Sequence, residues 1–214
     1  MNLDTAHLIA LAGALGWASG VRLYLAVLLT GLAGFMGWIE LPQGLHLLAH
    51  PAVLGASGFM VFVEFFADKI PALDSLWDVV HTVIRIPAGA ALAASVFGAD
   101  SGLVAVVAAL LGGTLAATSH AGKLTTRAAV NTSPEPFSNI GVSLFEDGFV
   151  VFMLWLAATH PFVFAGALAL TLIATVVLTV VLFRFLRAAL RRLNQFLSGG
   201  KVPAATDSSN LRLK

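Results

Sequence analysis

The residues able to do chemistry in this chain crowd between positions 64 and 147. Glu64 and Asp68 stand four apart; Asp74, Asp78, His81 and Arg85 run at i, i+4, i+7 and i+11; His120, Lys123, Arg127 and Asn131 run at i, i+3, i+7 and i+11. Steps of three and four keep side chains on one helix face. Three helices therefore each carry a charged stripe, two chiefly acidic and one basic. Glu135, Asn139, Glu146 and Asp147 complete the set. Carboxylates in such stripes can take up a proton or a cation, Lys123 and Arg127 can hold an anionic group or act as counter-ions, and His120 can exchange a proton. Glu64, Asp68, Asp74, Asp78, Glu135, Glu146 and Asp147 outnumber Lys69, Arg85, Lys123 and Arg127. The excess implies either protonated acids or a bound cation, with Mg²⁺ the candidate; no other cofactor is expected.

The elements that must position these residues belong to a membrane. Of 214 residues 58% are hydrophobic and only 11% charged, against roughly 25% charged in soluble domains. So many apolar side chains exceed what one soluble core can hide, and lipid must cover the rest. The absence of cysteine excludes a disulfide scaffold, a thiol nucleophile and a thiolate metal site, and a net charge of +1 gives no reason to expect nucleic acid. The expected fold is all-α, a polytopic helical membrane protein of about six transmembrane helices, over about 7–38, 52–68, 72–98, 101–131, 140–160 and 162–186. The first stretch is too long and too acidic at its start for a cleavable signal, and small residues at 16–20 are its expected point of kinking. Pro42, Pro51, Pro71, Pro161 and the pair Pro134 and Pro136 punctuate the rest. Residues 1–190 read as one membrane domain, and 191–214 as a basic cytoplasmic tail expected to be disordered.

Orientation follows from the cations. Arg184, Arg187, Arg191, Arg192, Lys201, Arg212 and Lys214 gather near the C-terminus, while 39–51, 99–101 and 159–161 carry no Lys or Arg. The positive-inside rule then places the C-terminus in the cytoplasm, and six spans would put the N-terminus there too. The charged stripes fall in the cytoplasmic half. Ionised groups at that depth cost a few kcal/mol each unless they pair or meet water. The economical arrangement turns the stripes inward, acidic toward basic, around a polar cavity open to the cytoplasm. Arg22, deep in the first stretch, is either a counter-ion for these acids or a sign that its helix starts later. His46, His50 and His160 read as turn residues on the outer side, and His7 as interfacial.

The string Ala67-Asp68-Lys69-Ile70-Pro71-Ala72-Leu73-Asp74-Ser75-Leu76-Trp77-Asp78, followed by Thr82, Arg85 and Pro87, resembles the signature of a bacterial integral membrane protein family of unknown function. So does His120, Lys123, Arg127 and Asn131-Thr132-Ser133-Pro134-Glu135-Pro136, followed by Asn139, Ser143, Glu146 and Asp147. The resemblance covers about 7–185 and implies a multi-pass protein of the bacterial inner membrane, with these residues as its centre. It implies no reaction.

Three functions compete. A small transporter or permease for a cation, a proton-coupled solute or an anionic headgroup leads, because inward ionisable stripes and a breakable first helix make a path. A membrane enzyme acting on a lipid-linked phosphate is the alternative, but no intact catalytic motif stands in the chain, so an enzyme is not the expectation. A structural or accessory subunit is the third, its small-residue runs 31–37 and 112–113 allowing close packing or a homo-oligomer. The bilayer is the partner common to all three.

Overall fold

The computed structural model describes residues 4–70, 73–98, 102–132 and 136–197. Among the described residues six helices follow one another: α1 (Thr5–Phe35), α2 (Pro51–Ala67), α3 (Leu73–Ser95), α4 (Leu103–Val130), α5 (Pro136–Thr159) and α6 (Pro161–Leu197), with a short 3-10 helix Gln43–Ala49 before α2. Five are long and apolar enough to cross a membrane, and the bent pair formed by the 3-10 helix and α2 makes a sixth candidate. Large apolar side chains such as Phe62, Val83, Leu110, Phe162 and Ile173 face outward. In water this surface would be untenable; in lipid it is the expected one. The chain is a multi-pass membrane protein.

Local chemistry sets the helix ends. Asp4 caps α1, its Oδ1 accepting the His7 amide at 3.0 Å, and that bond holds the Asp4 carboxyl below its usual range. His50 caps α2 by accepting the Ala52 amide through Nδ1 at 3.2 Å, with Pro51 in the first turn. His46 Nε2 lies 2.8 Å from the Leu41 carbonyl. These histidines do the turn work expected of them. α5 starts at Pro136, four residues before its expected start, because proline suits a first helical turn; Asn139 is thereby helical. α6 continues to Leu197, into the stretch read as a tail, and residues 198–214 lie outside the described residues, as does Glu135.

α1 departs most from expectation. It keeps helical dihedrals through the small residues at 16–20 and breaks at Arg22, where φ is −146° and ψ is 73°. Residues 5–21 run alongside α4: Gly16 abuts Gly112, Gly20 abuts Ala116 and Ser119, and the Val21 carbonyl accepts from Lys123. Residues 23–35 run against α2, with Leu28 near Gly58 and Gly31 near Leu54. Both ends of α1 meet the same end of the bundle. Thr5 and Ala6 share a groove with Phe97, Val104 and Pro161. At the other end of α1, Gly34 touches Leu41 and Gly31 touches Leu48, and the 3-10 helix between them sets Gly44 on Ser95, the last residue of α3. α1 is therefore a helical hairpin folded at Arg22, with α2 to α6 passing through the bundle. α6 follows α4, Phe164 and Leu168 against Gly13 and Thr175 against Gly122, so it ends at the end of the bundle opposite the start of α1. Six full spans would bring the start of α1 and the end of α6 to the same end of the bundle; the fold at Arg22 puts them at opposite ends.

Glycine makes the close approaches possible. A Cβ on Gly16 would lie 2.7 Å from Gly112 Cα, and one on Gly112 would lie 2.7 Å from the Gly89 carbonyl oxygen. α1, α3 and α4 thus meet backbone to backbone, the packing that small residues permit inside lipid. Gly112 is spent within this chain.

Candidate functional site

Breaking α1 frees main-chain carbonyls in its last turn, and buried carbonyls need donors. α4 supplies them from one face. Ser119 Oγ donates to the Trp17 carbonyl at 2.8 Å, His120 Nδ1 lies 3.2 Å from that of Gly20, and Lys123 Nζ donates to that of Val21 at 3.2 Å. The partial negative charge of a helix C-terminus favours a cation there, and Lys123 is that cation.

Arg22, at the fold of the hairpin, is buried and reaches in several directions. Nη1 pairs with Asp68 of the α2 end, Nη2 donates to Ser143 Oγ at 2.8 Å, and Nε lies 2.8 Å from Asp147 Oδ1. Arg85 joins α3 to α2 by donating to Asp78 Oδ1 at 2.8 Å and to Glu64 Oε1. Lys123 stands 3.2 Å from Asp78, 3.4 Å from Asp68 and 3.8 Å from Glu64. Arg127 binds Glu146 at 2.9 Å and Asn139 Oδ1 at 2.8 Å. Asp74 accepts from Asn131 Nδ2 at 3.1 Å and from Asn139 Nδ2 at 3.4 Å. The His120 ring also meets the Thr82 hydroxyl, Nε2 to Oγ1 2.8 Å. His81 Nδ1 lies 2.8 Å from the Trp77 carbonyl, which assigns its proton to Nδ1 and leaves Nε2 to accept from the Tyr24 hydroxyl at 3.1 Å.

Of the candidate residues read from the sequence, Glu64, Asp68, Asp74, Asp78, Arg85, His120, Lys123, Arg127, Asn131, Asn139, Glu146 and Asp147 come together in this one cluster; Glu135 lies outside the described residues. The stripes face one another, acidic toward basic. Among the described residues the stripes pack against one another; Glu146 and Asp147 keep 11% and 28% side-chain exposure, and Asn131 is half-buried. Striping does not reach Ser143, Thr82 or Tyr24, and it names Arg22 without its role. The signal for Arg22 is an arginine placed alone in an apolar stretch, which must find carboxylates or leave the membrane.

The charge balance is uneven. Arg22, Arg85, Lys123 and Arg127 face Glu64, Asp68, Asp74, Asp78, Glu146 and Asp147, and adding Lys69, whose ammonium lies on the Phe65 ring, still leaves carboxylate in excess. Two buried carboxylate oxygens, Asp68 Oδ1 and Asp78 Oδ2, have no hydrogen-bond donor among the described residues. No group of three or more His, Asp or Glu side chains among the described residues is arranged to hold a metal ion. The acids that could ligate Mg²⁺ are turned toward guanidinium and ammonium groups instead. Lys123 and Arg127 are likewise engaged by carboxylates, which leaves no free phosphate clamp.

A small cavity of about 220 Å³ reaches the cluster from the side, between residues 22–25 of α1, the C-terminal part of α2 and the middle of α5. Arg22, Glu64 and Asp147 are its charged lining.

A family model described as Domain of unknown function (DUF4126) matches residues 9–181, a stretch that contains the whole cluster. No curated protein and no solved structure matches the chain.

Proposed function

We propose that this chain, which belongs to the family described as Domain of unknown function (DUF4126), is a small proton-coupled transporter of a cation, with the charged core as its coupling site. The observation that carries the reading is the fold of α1 at Arg22, which brings a helix break among carboxylates from α2, α3 and α5. Helices broken within the membrane and lined by ionisable groups are the usual substrate sites of secondary transporters. Excess carboxylate selects a cation over an anionic headgroup. In this reading the excess carboxylate of the cluster takes up the proton, and its pairings with Arg22, Arg85 and Lys123 change as it does so.

In the same reading the end of the bundle holding Lys69, Arg127 and the C-terminal part of α6 faces the cytoplasm, as the positive-inside rule requires. The start of α1 then faces the other side. The described residues at this end, 4–8, 36–51, 98, 102 and 159–161, include no Lys or Arg, so the rule accommodates the hairpin.

A second reading has an observation of its own. The carboxylates and cations largely satisfy one another, as a purely structural polar core would, and buried pairs of this kind hold helices together in lipid. Flux separates the two. Purified protein in liposomes containing a trapped pH dye should acidify the lumen when a potassium diffusion potential, negative inside, drives cations inward. A rate equal to that of protein-free liposomes, with and without candidate organic and inorganic cations, would leave the structural core as the function.

A further inference from the structure

The cavity beside Arg22 is small, below the roughly 300–1,000 Å³ that encloses a drug-sized ligand, and it has two kinds of wall. Glu64 and Asp147 supply carboxylates near Arg22, while Leu25, Val61 and Phe65 supply apolar surface. Arg22 already pairs with Asp68 and Ser143, and Glu64 Oε1 already accepts from Arg85. Asp147 meets only one edge of the guanidinium and keeps 28% exposure. The local charge therefore lacks a cation. A second observation shows which cation the walls accept. The Lys69 ammonium lies 2.9 Å from the Phe65 ring centroid and donates to the Phe65 carbonyl at 2.9 Å. An alkylammonium thus already lies on the ring of a residue that lines the cavity, in the arrangement by which aromatic rings recognise amines.

We infer that this cavity is the binding site of an amphipathic primary amine, its ammonium held by Asp147 and the Phe65 ring and its alkyl chain running out along Leu25 and Val61 into the lipid. Lys69 is the resident competitor. The inference rests on the transport reading only for its biological purpose, since binding is measured without flux.

The experiment uses the full-length protein in detergent and follows its melting temperature with n-octylamine, n-octanol or octanoate. Octylamine should stabilise the protein at concentrations where octanol and octanoate do not. Asp147→Asn should weaken the amine effect at least about tenfold, a step worth about 1.4 kcal/mol. Lys69→Gln should strengthen it several-fold by removing the competitor, a gain that mere loss of folding cannot produce. Equal stabilisation by octylamine and octanol, or an amine effect unchanged in both variants, overturns the inference. Amine binding without flux in liposomes would overturn the transport reading alone, and flux without amine binding would overturn this site alone.

Discussion

Arg22 decides more than any other residue. Its guanidinium neutralises Asp68, steadies Asp147 and bonds Ser143 from one position at the fold of α1. Removing one partner of a buried pair leaves the other charge uncompensated, which costs about 3–5 kcal/mol. Arg22→Gln should therefore lower the unfolding midpoint in detergent sharply. Arg22→Gln combined with Asp68→Asn should recover much of the loss, because the orphaned carboxylate is then gone. Additive losses in the double variant would mean that the two side chains act independently, against their pairing. The carboxylates around Lys123 each have a closer cation, Asp78 and Glu64 in Arg85 and Asp68 in Arg22, so losses at Lys123 should be milder than at Arg22.

At the scale of elements, glycine and the α1 hairpin carry the architecture. Gly112→Ala would set a Cβ against Ala93 and 2.7 Å from the Gly89 carbonyl oxygen, an overpacking worth about 1–3 kcal/mol. Gly55→Ala meets nothing within 4 Å and should be neutral or slightly stabilising in the same melting assay. The hairpin has a topological consequence that the cysteine-free chain makes easy to read. A membrane-impermeant thiol reagent should label Thr5→Cys from the same side as Leu47→Cys, and Thr132→Cys from the opposite side. Labelling of Thr5→Cys together with Thr132→Cys would mean that α1 crosses the membrane. This is also where sequence legibility ends. Apolar runs and prolines place α2 to α5 within a few residues, and steps of three and four identify the charged faces of α3 and α4, since both patterns are local. The fold of α1 is not local. Arg22 has helical neighbours on both sides, and the break there depends on carboxylates contributed by α2 and α5, far along the chain. Small residues at 16–20 look like a weak point in sequence, yet their purpose is contact with Ser119, Ala116 and Gly112 of α4.

Taken together, the described residues form an apolar exterior around a polar core with more acids than bases, reached sideways by a small charged cavity. A lipid-covered bundle can tolerate such a core for structure alone, or use it to move charge. The pair Asp78 and Arg85 distinguishes the two, because both are fully buried and bonded to each other at 2.8 Å. Asp78→Asn with Arg85→Gln removes one charge of each sign and keeps polar groups of similar size, so the cluster's net charge is unchanged and the fold should survive. The measurement is lumenal acidification in liposomes loaded with equal amounts of wild-type and doubly substituted protein, each shown to be monodisperse and to melt within a few degrees of the other. The account predicts measurable flux for the wild type and at least a tenfold loss for the double variant. Equal flux in the two, from equally folded protein, would contradict it and make this pair a structural bond.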